Sequence, residues 1–179
     1  MVMYLVDTNV MLAASAVSEL SNQAVRAMPS EIELREMIYD WLSSFEQSEQ
    51  SIVLDEEGLV RDEYERNMPY NFLEQEYGMQ VLQYKLDRNQ VVYVPINSIE
   101  ANGEHIAVLD PVHEALVSDR EDRKWAACAL AAQILFDQVP PIVYGAETDW
   151  FIAEEQLRGI GLCFHRLLPD EWYSSKVAS

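Results

Sequence analysis

The chain alternates short runs of apolar, β-prone residues with longer segments whose apolar residues recur at helical spacing. The runs are too short for helices and predict buried strands at residues 2–6, 52–55, 91–96, 142–144 and 161–164. The periodic segments predict helices at residues 10–27, 31–47, 59–67, 71–87, 119–136 and 150–157. Strands that alternate with helices indicate a parallel sheet with helices on both faces.

This alternation predicts a three-layer α/β/α fold with a central, mostly parallel sheet. A length of 179 residues suits one well-buried core, so we expect a single domain over residues 1–173 and a loose tail at residues 174–179. Asn102-Gly103, with hydrophobic residues on both sides, favours a small hairpin or an irregular loop between residues 97 and 110.

Acidic side chains follow the predicted strands or begin the helix at residue 119, and they are Asp7, Asp55, Asp119, Asp122, Glu147 and Asp149. In open α/β sheets, sites lie beyond the carboxyl ends of the strands, where these acids would meet. Carboxylates that converge without partners repel one another and raise one another's pKa, so the group requires a cation. Mg²⁺ or Mn²⁺ is expected, because both are hard ions that bind carboxylate and water oxygens.

The net charge of −19, from 12 Lys and Arg against 31 Asp and Glu, restricts the classes of ligand. Nucleic-acid binders usually carry a basic face, because neutralising phosphates supplies most of their non-specific affinity. The charge therefore argues against tight nucleic-acid binding without metal. It is compatible with a metal-assisted contact, or with acidity that serves solubility alone.

Other features bear on location. No run approaches the roughly 18 consecutive apolar residues that a membrane-spanning helix requires, and the first residues lack the basic segment typical of signal peptides. Cys128 and Cys163 lie in apolar stretches without metal-ligand spacing, which favours buried reduced thiols. These features predict a cytoplasmic protein that does not interact with membranes.

A set of motifs covers nearly the whole chain. Asp7 in LVDTNV ends a strand and is followed by Thr and Asn, while Glu63 lies in the helical part of LDEEGLVRDEY. Asp122 leads into the alanine-rich segment DRKWAACA, and VYGAETDW joins a strand to spaced acids and an aromatic residue. In order and spread these segments resemble the motifs of the PIN domain family, PIN-like nucleases that include the VapC-type toxin ribonucleases.

The resemblance implies a PIN-like fold in which the catalytic, metal-binding acids are Asp7, Glu63, Asp122, Asp149 and Glu147. The usual Asp-X-Asp pair of the family appears here as Glu147-Thr148-Asp149, so either acid of that pair could complete the set. Thr8 and Asn9 match positions that support the first aspartate.

The implied activity is hydrolysis of RNA phosphodiester bonds, assisted by one or two Mg²⁺ or Mn²⁺ ions held by the carboxylates. The resemblance further implies an RNA substrate, a homodimer, and a role either as a toxin with an antitoxin protein partner or as a processing enzyme. Basic residues that flank the acidic motifs are candidates for contacting phosphate, and they are Arg61, Arg66, Arg120, Arg123 and Lys124. Solvated salt bridges to neighbouring acids are an equal alternative for each of them.

Two other functions fit the sequence. A PIN-fold module that has lost nuclease activity and binds a protein partner is favoured by the acidity and by Glu147 in place of Asp. A Mg²⁺-dependent phosphatase would use Asp7 as its nucleophile, but such enzymes usually carry a second aspartate two residues later, where this chain has Asn9.

Several residues fit structural roles. Asp55 could be a ligand or the cap of a turn, whereas Asp119 and Glu121 fit positions beside the site better than ligand positions. Tyr64 and Trp125 lie at helical positions typical of a core. The histidines lack a partner pattern and fit polar surface or core positions, at residues 105, 113 and 165.

Overall fold

A five-stranded parallel sheet forms the centre of the protein, in a computed structural model that describes residues 1–70 and 75–179. The strands in chain order are β1 (Met3–Val6), β2 (Ser51–Asp55), β3 (Val91–Val94), β4 (Ser98–Ala101), β5 (Glu104–Ala107), β6 (Ile142–Tyr144) and β7 (Phe164–Arg166). The sheet has the order β3-β2-β1-β6-β7, and its neighbouring strands are all parallel. β4 and β5 form a separate antiparallel hairpin that turns at Asn102-Gly103, as predicted.

Helices cover the sheet and confirm the predicted three-layer α/β/α fold. They are α1 (Thr8–Ser15), α2 (Ile32–Gln47), α3 (Leu59–Asn67), α4 (Tyr77–Asp87), α5 (Pro111–Leu116), α6 (Arg123–Phe136), α7 (Thr148–Gly159) and α8 (Asp170–Val177). α1, α2 and α4 pack against one another, while α6 packs across β1, β2, β3 and β6. Among the described residues, no helix combines the length and apolar character that crossing a bilayer demands.

The first helix is much shorter than predicted. It begins at Thr8 and ends at Ser15, and turns occupy most of the following residues up to 26, so the prediction of a helix over residues 10–27 was wrong beyond Ser15. In the later part of this segment, the buried guanidinium of Arg35 of α2 donates hydrogen bonds to the carbonyls of Pro29, Ala24 and Ala27 at 2.6, 2.9 and 2.6 Å. Carbonyls that bind this side chain are directed away from a helical ladder.

Other boundaries also differ from the prediction. α6 begins at Arg123 instead of residue 119, because the backbone amides of Asp122 and Arg123 bond to carbonyls three residues earlier and form a turn. The last strand begins at Phe164 instead of residue 161, since the C-terminal turn of α7 continues through Gly161, whose φ is +102°. α4 begins at Tyr77, and residues 71–74 of the helix predicted at 71–87 lie outside the described residues.

Two further helices were absent from the prediction. α5 begins after Asp110, whose carboxylate accepts hydrogen bonds from the backbone amides of Val112 and His113. α8 occupies much of the predicted loose tail at residues 174–179, because the helix continues to Val177. Tyr173 fixes α8 to the sheet, since its buried hydroxyl donates to the Gly145 carbonyl at 2.6 Å.

The order of the strands determines where a site can form. The chain extends the sheet from β1 to β2 and β3 on one side, and then returns to place β6 on the other side of β1. β1 and β6 are in register from Leu5 with Ile142, and the backbone amide of Asp7 donates to the Val143 carbonyl at 3.0 Å. The carboxyl ends of β1 and β6 thus meet where the strand order reverses, which is the position favoured for ligands in open α/β sheets.

Close packing of α4 against α1 holds the first helix after β1 in position. Gly78 of α4 leaves no space for a side chain, because a Cβ atom there would lie 2.8 Å from the Cβ of Met11 and 3.0 Å from the Met11 carbonyl oxygen. The sulfur of Met68 would also be 3.0 Å away. α1 follows directly on Asp7, so this contact helps to position the start of α1 beside the sheet edge.

We predict that Gly78→Ala lowers the free energy of unfolding by about 1–3 kcal/mol, because a methyl group must displace the backbone of α1. Gly159→Ala is the matched control, since a Cβ at Gly159 meets no atom within 4 Å. It should change stability by no more than about 1 kcal/mol, in the stabilising direction. Urea denaturation of both variants provides the measurement, and equal stabilities would contradict the packing described for Gly78.

Candidate metal centre

Asp7 lies at the centre of the site, immediately after β1. Its side chain is only 3% exposed. One carboxylate oxygen accepts a hydrogen bond from the backbone amide of Asn9 at 3.0 Å, so Asp7 caps α1, and the other accepts from the indole nitrogen of Trp150 at 2.7 Å. Both bonds use donors that are uncharged, and the carboxylate therefore keeps its full negative charge when ionised.

Glu63 of α3 is held by two partners. Its Oε1 accepts a hydrogen bond from the hydroxyl of Thr8 at 2.5 Å, and its Oε2 forms an ion pair with the ammonium of Lys124. Lys124 also donates to the Glu121 carbonyl at 2.6 Å. Thr8 was expected to support Asp7, but its hydroxyl instead orients Glu63 across the start of α1.

Asp122 precedes α6 and does not act as its cap. The backbone of Asp122 is already helical, with φ −79° and ψ −15°, and its side chain makes no capping hydrogen bond. Across residues 1–70 and 75–179, the Asp122 carboxylate has neither a hydrogen bond nor a salt bridge. The alternative in which Asp122 serves only as a helix-start residue therefore lacks the contact that would explain it.

Glu147 and Asp149 occupy different environments. Glu147 is partly buried, its Oε2 accepts from the side-chain amide of Asn9 at 2.6 Å, and its Oε1 lies 3.4 Å from the backbone amide of Asp149 at the start of α7. The Asp149 side chain is exposed on the first turn of α7, beside a small cavity that Asp122 and Asp119 also line. Glu147 is thus the member of the pair that faces the buried acids.

Electrostatic repulsion shows that these acids converge. Burial raises the pKa of Asp7 to about 6, and the charge of Glu63 contributes to this rise. Burial raises the pKa of Asp122 to about 9, together with the neighbouring charges of Asp7, Glu147, Asp119 and Glu63. Burial and the charge of Asp7 raise the pKa of Glu147 to about 7. Side chains separated by more than 100 residues therefore sense one another's charge at one edge of the sheet.

The acids do not form a finished coordination sphere. Within the part of the chain that the structure describes, no group of three or more His, Cys, Asp or Glu side chains is arranged to hold a metal ion. Two of the carboxylates are turned toward other partners, Glu63 toward Lys124 and Glu147 toward Asn9. The donor atoms, all carboxylate oxygens, fit a hard divalent cation, but closing around an ion requires some of these side chains to rotate.

The basic candidates separate into different environments. Arg123 forms a salt bridge with Glu114 of α5 at 3.2 Å, and Lys124 is buried in its pair with Glu63. Arg120 is exposed and lines a cavity of about 460 Å³ between α3, the turn before α6 and the β4–β5 hairpin. The same cavity reaches Arg66, Lys124 and His105, and it also contains acids. Of the residues at the centre it reaches Lys124, whereas Asp122 and Asp149 line the smaller cavity.

Two other acids, Asp55 and Asp119, accept local hydrogen bonds from the backbone. Asp55 is buried, and its carboxylate accepts hydrogen bonds from the backbone amides of Leu59 and Val60 at 2.8 Å, so it caps the start of α3. Asp119 is exposed, and its carboxylate accepts from the backbone amide of Glu121 at 2.9 Å. These contacts agree with the turn-cap and surface alternatives.

The remaining sequence predictions concern the core and the cysteines. Tyr64 and Trp125 are fully buried, as expected of core residues. His113 is buried beside Asp110, whose carboxylate lies 2.8 Å from its ring nitrogen, and belongs to the cap of α5. Cys128 is buried, Cys163 is partly buried, and both thiols are free.

Two contacts of the centre were not predicted. The hydrogen bond from Trp150 to Asp7 joins residues 143 positions apart, and the pair of Lys124 with Glu63 joins residues 61 positions apart. Trp150 had a signal in the sequence as the aromatic residue of the VYGAETDW segment. Lys124 was expected to contact phosphate or a neighbouring acid, but its pairing with Glu63 depends on how α6 packs against α3.

No protein-family model matches the chain, and no curated protein matches it in a sequence comparison. The resemblance to PIN domains is therefore carried by the motifs alone, and the function has to be argued from the geometry of the centre.

We predict that Asp122→Asn stabilises the protein in the presence of a chelator, because it removes a partly buried, unpaired carboxylate from a negative cluster. The pKa of Asp122 is about 9 in the folded state against an ordinary value of 3.8, so the folded protein loses free energy of unfolding as the pH rises from 3.8 toward 9. Below pH 3.8 the carboxyl is protonated in both states, and this loss disappears. The gain should therefore reach on the order of 1–3 kcal/mol near neutral pH and vanish at about pH 4.

The matched control is Asp40→Asn, which removes the same charge from an exposed position of α2. It should change the free energy of unfolding by less than about 0.5 kcal/mol at either pH. Thermal and urea unfolding at the two pH values supply the comparison. A destabilised Asp122→Asn protein near neutral pH would show that the carboxylate is compensated after all.

Proposed function

We propose that the protein is a metal-dependent ribonuclease that hydrolyses RNA phosphodiester bonds with Mg²⁺ or Mn²⁺ at the carboxyl edge of its sheet. The observation that carries this proposal is the unpaired Asp122 carboxylate, whose pKa is raised by burial and by the charges of Asp7 and Glu147. Buried like charges without a counter-ion are unfavourable, and a bound divalent cation would relieve the repulsion.

The ligands we assign to the ion are Asp7, Asp122 and Glu147. When bound, the ion would lower the pKa of a water molecule and neutralise charge on the phosphate. Asp7 is held rigid by Trp150 and by the backbone amide of Asn9, so it would act as the fixed ligand. The absence of an obvious protein nucleophile in the sequence agrees with hydrolysis by water.

We propose that the cavity beside Lys124 receives the substrate. Its volume of about 460 Å³ lies in the range of small-ligand sites, and Arg66 and Arg120 line it. In a chain with a net charge of −19, these cations offer phosphate a local contact, in a cavity where Arg66 pairs with Glu121 at 3.6 Å and four acids are also present. The motif resemblance makes RNA the proposed polymer, with an antitoxin partner or a processing role and a homodimer as further parts of the same proposal.

One rival function is supported by a specific observation. The pairing of Lys124 with Glu63 neutralises one of the acids, and no ready coordination sphere is present among the residues described. A PIN-fold module without nuclease activity that binds a protein partner would show the same features. The phosphatase alternative gains no support, because Asn9 stands where a second aspartate would be needed and donates a hydrogen bond to Glu147.

We predict that the purified protein cleaves labelled RNA when Mn²⁺ is present and not when Mn²⁺ is chelated. Asp7→Asn and Asp122→Asn should each lower the rate more than about 100-fold, the upper end of the loss seen when only supporting groups of metal sites are changed. The Asp40→Asn control should keep the activity of the original protein, because its carboxylate is exposed on α2.

Gel analysis of the cleaved RNA, with all proteins purified in parallel, distinguishes the outcomes. Equal cleavage by the original protein and by Asp7→Asn would show that the carboxylates are not the catalysts. No cleavage by any protein, together with no heat of Mn²⁺ binding in calorimetry, would favour the interaction module.

A further inference from the structure

Lys124 is a cation buried inside the acidic centre. Its side chain is 6% exposed, and its ammonium pairs with the Glu63 carboxylate, whose side chain is 13% exposed. The ammonium also donates to the Glu121 carbonyl at 2.6 Å and lies 3.4 Å from the Glu121 carboxylate. These contacts match the number of donors of a lysine ammonium, so its loss of hydration is compensated.

Both oxygens of Glu63 are engaged in this arrangement, and one of them already binds a cation. Its Oε1 accepts from the Thr8 hydroxyl at 2.5 Å, and its Oε2 binds Lys124. Thr8 is also buried, so this hydrogen bond cannot be exchanged readily for one to water. Releasing Glu63 would leave the Lys124 ammonium buried without its main counter-ion, which is strongly unfavourable.

The other three acids of the centre form no ion pair with a cation among the described residues. Asp122 lacks a partner among the described residues, and Glu147 and Asp7 are bound only by neutral donors, from Asn9 and Trp150. The negative charge that needs a metal ion is therefore concentrated on these three acids. Glu63, the remaining acid of the motif set, is already neutralised.

We propose, on the basis of the metal-dependent function above, that Lys124 permanently fills the place of a second metal ion at Glu63. The centre then takes one divalent ion, through Asp7, Asp122 and Glu147. Sites with two ions place positive charge on both sides of the reacting phosphate. Here the ammonium of Lys124, which borders the cavity of about 460 Å³, takes the place of one of those ions, with its charge balanced by Glu63.

The test is the stoichiometry of Mn²⁺ binding, measured by calorimetry and by the electron paramagnetic resonance of the bound ion. The original protein should bind one ion with the spectrum of an isolated Mn²⁺. Lys124→Met keeps the buried stem and removes the charge, which frees Glu63. This variant should bind two ions with the spectrum of a coupled pair, as in known two-metal sites.

The double variant Glu63→Gln/Lys124→Met is the matched control, because it removes a neutral ion pair as a whole. It should bind one ion, with an affinity within about tenfold of the original. This variant leaves no buried charge unpaired and thus tests the inference even where Lys124→Met alone fails to fold. Loss of Mn²⁺ binding in the double variant would mean that Glu63 is itself a ligand and would overturn the inference.

The outcomes separate this inference from the proposed function. Two ions in the original protein would overturn the inference while leaving a metal-dependent nuclease in place. One ion without RNA cleavage would overturn the nuclease activity and support the assignment of Lys124. No Mn²⁺ binding by the original protein would overturn both.

Discussion

The repulsion among carboxylates at the carboxyl edge of the sheet is the interaction on which the rest of the structure depends. Asp7 stands after β1, Glu147 after β6 and Asp122 before α6, and the charge of Asp7 raises the pKa of both Asp122 and Glu147. A fold that gathers these side chains reduces its own stability near neutral pH, since folding must bury charge or take up protons. Proteins retain such arrangements mainly at functional sites.

Hydrogen bonds and close packing around the acids offset this loss of stability. The hydrogen bonds from Trp150 and Asn9 fix Asp7, while the packed interface around Gly78 holds α1 against α4. Tyr64 of α3 donates a hydrogen bond to the Val6 carbonyl, one residue before Asp7. Strongly packed elements therefore surround the charged edge, and the apolar core resists the repulsion together with the ion pair of Lys124 and Glu63.

The sequence was informative where local pattern determines structure. Apolar runs located every strand of the sheet to within a few residues, and the strand-end rule placed Asp7 and Glu147 at one edge. The early end of α1 was not predicted, because periodicity does not show that the chain turns after Ser15 or that Arg35 of α2 binds carbonyls 6 to 11 residues before it. The same limit applies to Lys124, since periodicity shows that it lies on a helix but not which acid it meets.

The pairing of Lys124 with Glu63 connects the two puzzling properties of the chain, its acidity and its lack of a ready coordination sphere. Four unpaired acids would carry enough negative charge to need two cations. In this centre Lys124 already supplies one of them, through its pair with Glu63. The charge left on Asp7, Asp122 and Glu147 suits one divalent ion, and a centre of that kind avoids dependence on high metal concentrations for a second, weaker site. The same ammonium borders the cavity of about 460 Å³, which Arg66 and Arg120 also line. Because Lys124 is buried and paired with Glu63, the exposed arginines would be the first cations that an approaching phosphate meets, and Lys124 would act through the metal content of the centre.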